Sequence, residues 1–257
     1  MVDFDVRIIS MKKSEARRAI ASENFREVPY SWKFFDAISG LSEGLIYEPW
    51  SAKIKKGREL NDADLGCYSS HYFCILDFLE NTKCDYRLIL EDDVLLDIRF
   101  SINRATEFMR ELNISYLRLY SRLLRPVRMI GSFDHRVLVR FEDRPFGTQA
   151  YIISREGARK FLRLSKNVSQ PVDQEIDEYW RNGLTPYALF PFPALELQLG
   201  STISVRFRPD RTISHQLKRS VQIFSEWLMK LCANVRLRRT DARLRSLLSR
   251  NRASYKC

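Results

Sequence analysis

Glu91, Asp92 and Asp93 stand together directly behind an apolar run, Tyr86-Arg87-Leu88-Ile89-Leu90, which reads as the clearest strand in the chain. At the C-terminal end of a strand in an open α/β sheet, side chains project into the crevice where such sheets bind ligands. Alternation along an extended chain puts Glu91 and Asp93 on one face, two residues apart. Carboxylates so placed suit Mg²⁺ or Mn²⁺, hard ions that prefer oxygen ligands and bridge to diphosphate oxygens. The chemistry on offer is Lewis-acid stabilisation of the charge on a departing nucleoside diphosphate. The competing reading is a solvated acidic turn behind a strand, and the three acids alone do not exclude it.

The elements that must position these residues follow from periodicity. Asp5 to Met11 reads as a first strand, followed by a helix from about Ser14 to Asn24 with Ser14 as its cap. Trp32 to Ala37 is a short second strand ending in an acid, and a loop-rich stretch follows as far as Asn61. From Leu65 to Glu80 apolar residues recur at helical spacing. Behind the acids, Ile102, Ala105, Phe108, Met109 and Leu112 fall on one helix face. Short strands are expected at Tyr116 to Leu119, Val137 to Phe141 and Gln149 to Ile153. Ser154 should cap a helix over Arg155 to Leu164. Another helix, Asp173 to Arg181, is expected between Pro171 and Gly183. Strands alternating with helices predict a largely parallel α/β sheet.

Composition narrows the class. The 257 residues suffice for one large α/β domain, or for a domain with an appendage. No apolar run follows a basic start, which argues against a secretory signal, and no segment is long enough to span a bilayer. Five cysteines with no CxxC pair suggest reduced thiols of a cytosolic protein rather than a disulfide framework or a zinc site. From Arg206 onward there are 14 Lys and Arg against 3 Asp and Glu, a net of +11 that equals the charge of the whole chain. Residues 1–205 are thus neutral overall. A basic tail on a neutral globule is unlike a nucleic-acid-binding fold, which spreads its cations over a binding face.

In ordered blocks over roughly residues 5 to 205, the chain resembles glycosyltransferase family 25. Val6-Arg-Ile-Ile-Ser-Met with Ala16-Arg17-Arg18 is similar to the family's opening strand and basic helix, and Phe34-Phe35-Asp36-Ala37 to its next block. Leu65-Gly66-Cys67-Tyr68-Ser69-Ser70-His71 resembles a Gly-Cys-x-x-Ser-His block, and Glu91-Asp92-Asp93-Val94 the acidic metal motif. Gly147 to Ser154 and Pro171-Val172-Asp173 resemble two later blocks. The resemblance implies a GT-A-like, Rossmann-like nucleotide-sugar-binding fold and an inverting transfer of hexose, galactose from UDP-galactose, to a saccharide hydroxyl.

It also implies roles. Glu91 and Asp93 would hold Mn²⁺ or Mg²⁺, while Asp92 would support donor sugar or ribose contacts. Ser10, Arg17 and Asp36 would cradle the nucleotide, with Ser70, His71 and Thr148 lining the donor site. Gly66 and Cys67 would serve close packing of their helix. Asp173 would be the base that deprotonates the acceptor, with Asp177 and Glu142 as alternatives. Gln198 and His215 are candidates for a third metal ligand. Each has a plainer counterpart: Arg17 on a solvated helix face, His71 as a satisfied structural histidine, Asp173 as a helix cap.

The tail, residues 206–257 behind a catalytic domain of 1–205, carries an apolar stripe from Leu217 to Leu231 bordered by Lys218, Arg219 and Lys230. A second short helix is expected around Leu244, Leu247 and Leu248. Such basic amphipathic helices suit an anionic inner-leaflet surface, where a lipid-linked saccharide acceptor would be displayed. That implies a cytoplasmic protein, peripheral on the inner membrane, in lipopolysaccharide or other surface-glycan synthesis. The plainer reading is a helix packed on the domain. The rivals are a nucleic-acid-binding protein using the Arg-rich tail and an inactive transferase-like assembly module.

Overall fold

The central strands are apolar on both faces, which demands a layer of helices on either side. The computed structural model describes residues 2–197 and 213–250, with side chains from Gln216 onward in the second stretch. In chain order the elements are β1 (Phe4–Ser10), α1 (Glu15–Asn24), β2 (Lys33–Asp36), β3 (Ile46–Tyr47), α2 (Pro49–Lys56), α3 (Asp62–Asn81), β4 (Tyr86–Glu91) and β5 (Val94–Leu96). Next come α4 (Ile102–Glu111), β6 (Tyr116–Arg118), β7 (Val127–Phe133), β8 (Arg136–Phe141), β9 (Ala150–Ser154), α5 (Arg155–Leu164) and β10 (Asn167–Val168). The chain continues through α6 (Val172–Ile176), α7 (Tyr179–Asn182), β11 (Tyr187–Phe190), β12 (Ala194–Glu196) and α8 (Ile213–Arg250).

Ile8, Leu88, Leu90, Leu117 and Ile152 bury one sheet face against α1 and α4. Their alternate neighbours Ile9, Ile89, Tyr116, Tyr151 and Ile153 bury the other against α3, α5 and α6. Capping fixes where the helices start. Asn61 and Asp64 form a reciprocal capping box at α3, and the Ser154 hydroxyl accepts from the Gly157 N–H at α5. Ser14 precedes α1 but makes no side-chain cap bond, contrary to expectation.

The eight-stranded sheet has the order β2-β1-β4-β9-β6-β11-β8-β7. It is mixed rather than largely parallel: β9 and β8 run against their neighbours. Two local causes account for this. The tight Asp134-His135 turn makes β7 and β8 a hairpin, which can only be antiparallel. β9 enters from a loop lying at the C-terminal edge of β4 and so must descend between β4 and β6.

Three further expectations need correction. The helix over Asp173 to Arg181 is two short ones, α6 and α7, because the backbone leaves helical geometry at Glu178, where ψ is 54°. The loop-rich stretch before Asn61 contains β3 and α2. The tail's two helices are a single helix, α8. Its docked face carries Asp241 onto Arg140, both fully buried, and sets Leu244 and Leu248 into the core beside Ile130. Among the described residues no helix is long and apolar enough to cross a membrane.

Candidate active site

Register decides what meets at the sheet edge. Ser10 pairs with Asp36, and Ile9 with Glu91, so β1, β2 and β4 end at one level. The reversed β9 starts there too: Ala150 pairs with Leu90, and the Glu91 N–H donates to the Gln149 carbonyl at 2.9 Å. A strand running backwards thus delivers Gly147, Thr148 and Gln149 to the acids.

The three acids have separate partners. Glu91 Oε1 accepts from the Thr148 hydroxyl at 3.0 Å and lies 3.5 Å from His71 Nε2. Burial pushes its carboxyl up, but His71, Thr148 and the charge of Arg122 outweigh this and hold it below the ordinary value. Asp92 is buried, accepts from the Ser10 hydroxyl at 2.7 Å, and pairs with Arg17 at 2.5 Å. The same Arg17 nitrogen reaches Asp93 Oδ2 at 2.7 Å. Burial and repulsion from Glu91 nevertheless push Asp93 up to about 6, with Arg17 opposing. Asp36 lies more exposed, paired with Arg18, whose guanidinium also donates to the Ser10 carbonyl at 2.8 Å.

Ser70 is placed beneath this edge rather than in it. Its hydroxyl accepts from the Ile38 N–H at 2.8 Å and donates to the Gly66 carbonyl at 2.6 Å. A Cβ on Gly66 would come within 2.7 Å of the Ile38 carbonyl, so this glycine lets α3 approach the loop behind β2, as expected. His71, 1% exposed, hydrogen-bonds through Nδ1 to the Tyr151 hydroxyl at 2.9 Å and stacks on that ring. Its other nitrogen faces Glu91, and the Cys67 thiol completes a group whose ligand atoms lie within 4.8 Å of one another. Burial and the neighbouring Glu91 charge raise the Cys67 thiol well above its usual range.

Asp173 sits on α6, half-buried, and Oδ2 accepts from the Gly147 N–H at 3.2 Å. Lys56 lies in its field and is pushed down to about 8 by burial, which Asp173 only partly offsets. Neither alternative base is free. Asp177 is fully buried against Arg118 at 2.5 Å and accepts from the Phe146 N–H at 2.8 Å, and burial lifts it to about 6. Glu142 pairs with Arg128 on β7 at 3.0 Å, beside α8. Gln198 and the His215 side chain lie outside the described residues.

Three residues went unread in the sequence. Arg118 donates to Asp177, the Tyr116 hydroxyl, and the carbonyls of Phe146 and Gly147. It thereby fixes a turn whose two residues both have positive φ, 58° at Phe146 and 86° at Gly147. Glu196, ending β12, accepts from Tyr120 and Gln149 and adds its charge to those around Asp93. Arg122 is raised because Asp173 and Glu196 outweigh the burial that opposes its charge. Only a charged residue inside the apolar run Tyr116-Leu-Arg-Leu signalled Arg118; nothing local marked the other two.

The residues present fit a hard divalent cation. Asp93 Oδ1 is buried with no hydrogen-bond partner, and Asp93 is crowded by the charges of Glu91, Asp92 and Glu196 with one guanidinium in opposition. An oxygen-rich set with surplus negative charge is the donor chemistry Mg²⁺ and Mn²⁺ favour.

The three acids thus stand at one edge of a mixed α/β sheet in a chain whose last described element is a long helix. The sequence model of glycosyltransferase family 25 (LPS biosynthesis protein) matches residues 4–176, and the chain belongs to that family. It is similar to procollagen galactosyltransferase 1-B of Xenopus laevis, 26% identical over 178 residues, covering 63% of this chain and 28% of that protein. It is also similar to the lacto-N-neotetraose biosynthesis glycosyltransferase LgtE of Neisseria meningitidis serogroup B, 25% identical over 170 residues, covering 60% and 58%. The chain thus spans less than two thirds of either relative. Among solved structures, A197 from STIV matches with a TM-score of 0.40 and 13% identity, over 80% of this chain and 100% of that one. A glycosyltransferase involved in glycosylation of the major capsid of PBCV-1 matches at 0.34 and 12%, over 64% and 63%.

Proposed function

We propose that this protein is an inverting, metal-dependent glycosyltransferase that moves galactose from UDP-galactose to a hydroxyl of a lipid-linked saccharide in surface-glycan synthesis. One observation carries the reading: Asp93 presents a buried, unpartnered carboxylate oxygen at the C-terminal sheet edge, among the charges of Glu91, Asp92 and Glu196. Glu91 and Asp93 would hold Mn²⁺ or Mg²⁺, which when bound supplies Lewis-acid neutralisation of the leaving diphosphate.

The chain's own groups do the rest. Ser10 and Arg17 fix the Asp92 carboxylate, leaving it oriented for a sugar or ribose hydroxyl. Asp36 and Arg18 form a paired acceptor and donor at the end of β2, where a base or ribose would lie. Thr148 and His71 keep Glu91 ionised and aimed. Asp173, steered by the Gly147 N–H, takes the proton of the acceptor hydroxyl while that oxygen attacks the anomeric carbon opposite the departing UDP.

The test is UDP release from UDP-galactose, UDP-glucose and UDP-N-acetylglucosamine, with a lipid-linked saccharide acceptor, in Mn²⁺ and in EDTA. Turnover of UDP-galactose should stop in EDTA and in Asp93→Ala. In Asp173→Ala it should fall by about 10²–10⁴, the usual contribution of a general base. If calorimetry detects no metal-dependent donor binding to the folded wild type, the proposal is wrong.

A further inference from the structure

Helix α8 is docked along one face only, and the opposite face is unlike the rest of the surface. Leu217, Val221, Phe224, Trp227, Leu228 and Leu231 are each 44–68% exposed. At about 100° per residue they spread over roughly 120° of the helix circumference. That arc is wider than the two-position seam of a coiled coil. The same outward face then changes character: beyond Val235 it carries Arg236, Arg238, Arg239 and Arg243, all exposed.

The acids decide what this face fits. α8 contains two, Glu226 and Asp241, and both are turned inward. Glu226 pairs with Arg144 at 2.9 Å, and Asp241 with buried Arg140 at 3.0 Å. Some cations of the first half are also committed to the domain: Lys230 bonds Asp143 at 2.7 Å, and Lys218 lies 5.3 Å from the Trp50 ring. What remains outside is an apolar band with aromatic members, followed by an arginine band, with no acid on that face among the described residues.

We infer that the outward face of α8 is a docking surface for an anionic lipid bilayer. The apolar band enters the interface with Phe224 and Trp227 at acyl depth, while the arginines sit among anionic headgroups. A second copy of this chain is the weaker occupant, because parallel pairing would set the arginine bands against each other with no acid between them. The inference stands on α8 alone and does not depend on the transferase reading. It turns a helix packed on the domain into one that also fixes how the active-site edge faces the lipid.

The experiment is flotation of the full chain with vesicles of phosphatidylethanolamine and phosphatidylglycerol, against neutral phosphatidylcholine vesicles. Binding to the anionic vesicles should exceed neutral binding by at least tenfold. Phe224→Ser/Trp227→Ser should abolish it. Arg238→Gln/Arg239→Gln/Arg243→Gln should weaken it on the order of 100-fold, since each basic residue near such a surface contributes about fivefold. All substituted side chains are exposed, so both variants should unfold at the wild-type temperature, and light scattering should report monomers. Wild type left in solution with anionic vesicles would overturn the inference. So would a dimer that Phe224→Ser/Trp227→Ser dissociates, or tight, salt-sensitive binding to RNA in place of vesicles.

Discussion

Arg118–Asp177 and Arg140–Asp241 are the same chemistry in two regions of the molecule. Each guanidinium rises from a core strand, each aspartate comes from a helix or its end, and all four residues are at most 1% exposed. The first pair holds a turn, Phe146–Gly147, beside the candidate catalytic acids. The second holds α8 against β8, aided by Asn234 at 2.7 Å from the guanidinium. The difference teaches that a buried ion pair is not in itself a sign of a site. What it fastens decides its role.

The sharpest way to break the comparison is to remove one acid from each. Asp177→Ala and Asp241→Ala should each cost about 3–5 kcal/mol, because each strands a buried guanidinium. Denaturant unfolding measures this. The two should then part company in turnover per folded molecule: Asp177→Ala should lose more than about 100-fold, since a turn misplaced by an ångström misdirects both Thr148 and Asp173. Asp241→Ala should stay within about twofold. Equal losses would mean that the two regions are not functionally distinct.

A smaller effect sharpens the same contrast through pH. Burial lifts folded Asp177 to about 6, above its unfolded value of about 3.8. The folded chain therefore binds this proton more tightly, and the linked stability is fully present below about pH 4 and lost as pH rises through about 6. Relative to Asp177→Asn, wild type should gain up to about 1.4 kcal/mol per pH unit on acidification through that window. A flat difference across pH 4–6 would exclude the burial effect. Smallest of all should be Lys160→Ala, which breaks an exposed pair with Glu156 on α5 and should cost less than about 0.5 kcal/mol by the same unfolding measurement.

These pairs also show how far the sequence could be read. The acids behind β4, the α5 cap and the α4 face were legible because each is a local pattern. Arginines inside apolar strand runs were a readable anomaly: Arg87, Arg118 and Arg140 each break one, and each is fully buried against aspartate. Such a charge predicts that a partner exists, but not that Asp5, Asp177 or Asp241 supplies it, because that depends on topology. The same limit hid Glu196, Arg122 and the reversed β9, and with them the bonds of the Ser70 hydroxyl to the Ile38 N–H and the Gly66 carbonyl. Asp177 looked like an alternative base for the same reason, since only the fold reveals its pairing with Arg118.

The Arg140–Asp241 pair sets a clock on biosynthesis. The residues are 101 positions apart, so at 5–20 residues per second the strand waits roughly 5 to 20 seconds for its counter-charge. Throughout that interval Arg140 lacks Asp241 and has only Glu142, 3.6 Å away in the folded chain, as an anionic neighbour. When the helix arrives, one docking event closes the far edge of the sheet and leaves its outer face displayed. Translation order alone thus delivers the apolar band of α8 before Asp241, Leu244 and Leu248, the residues that fix the helix to the sheet.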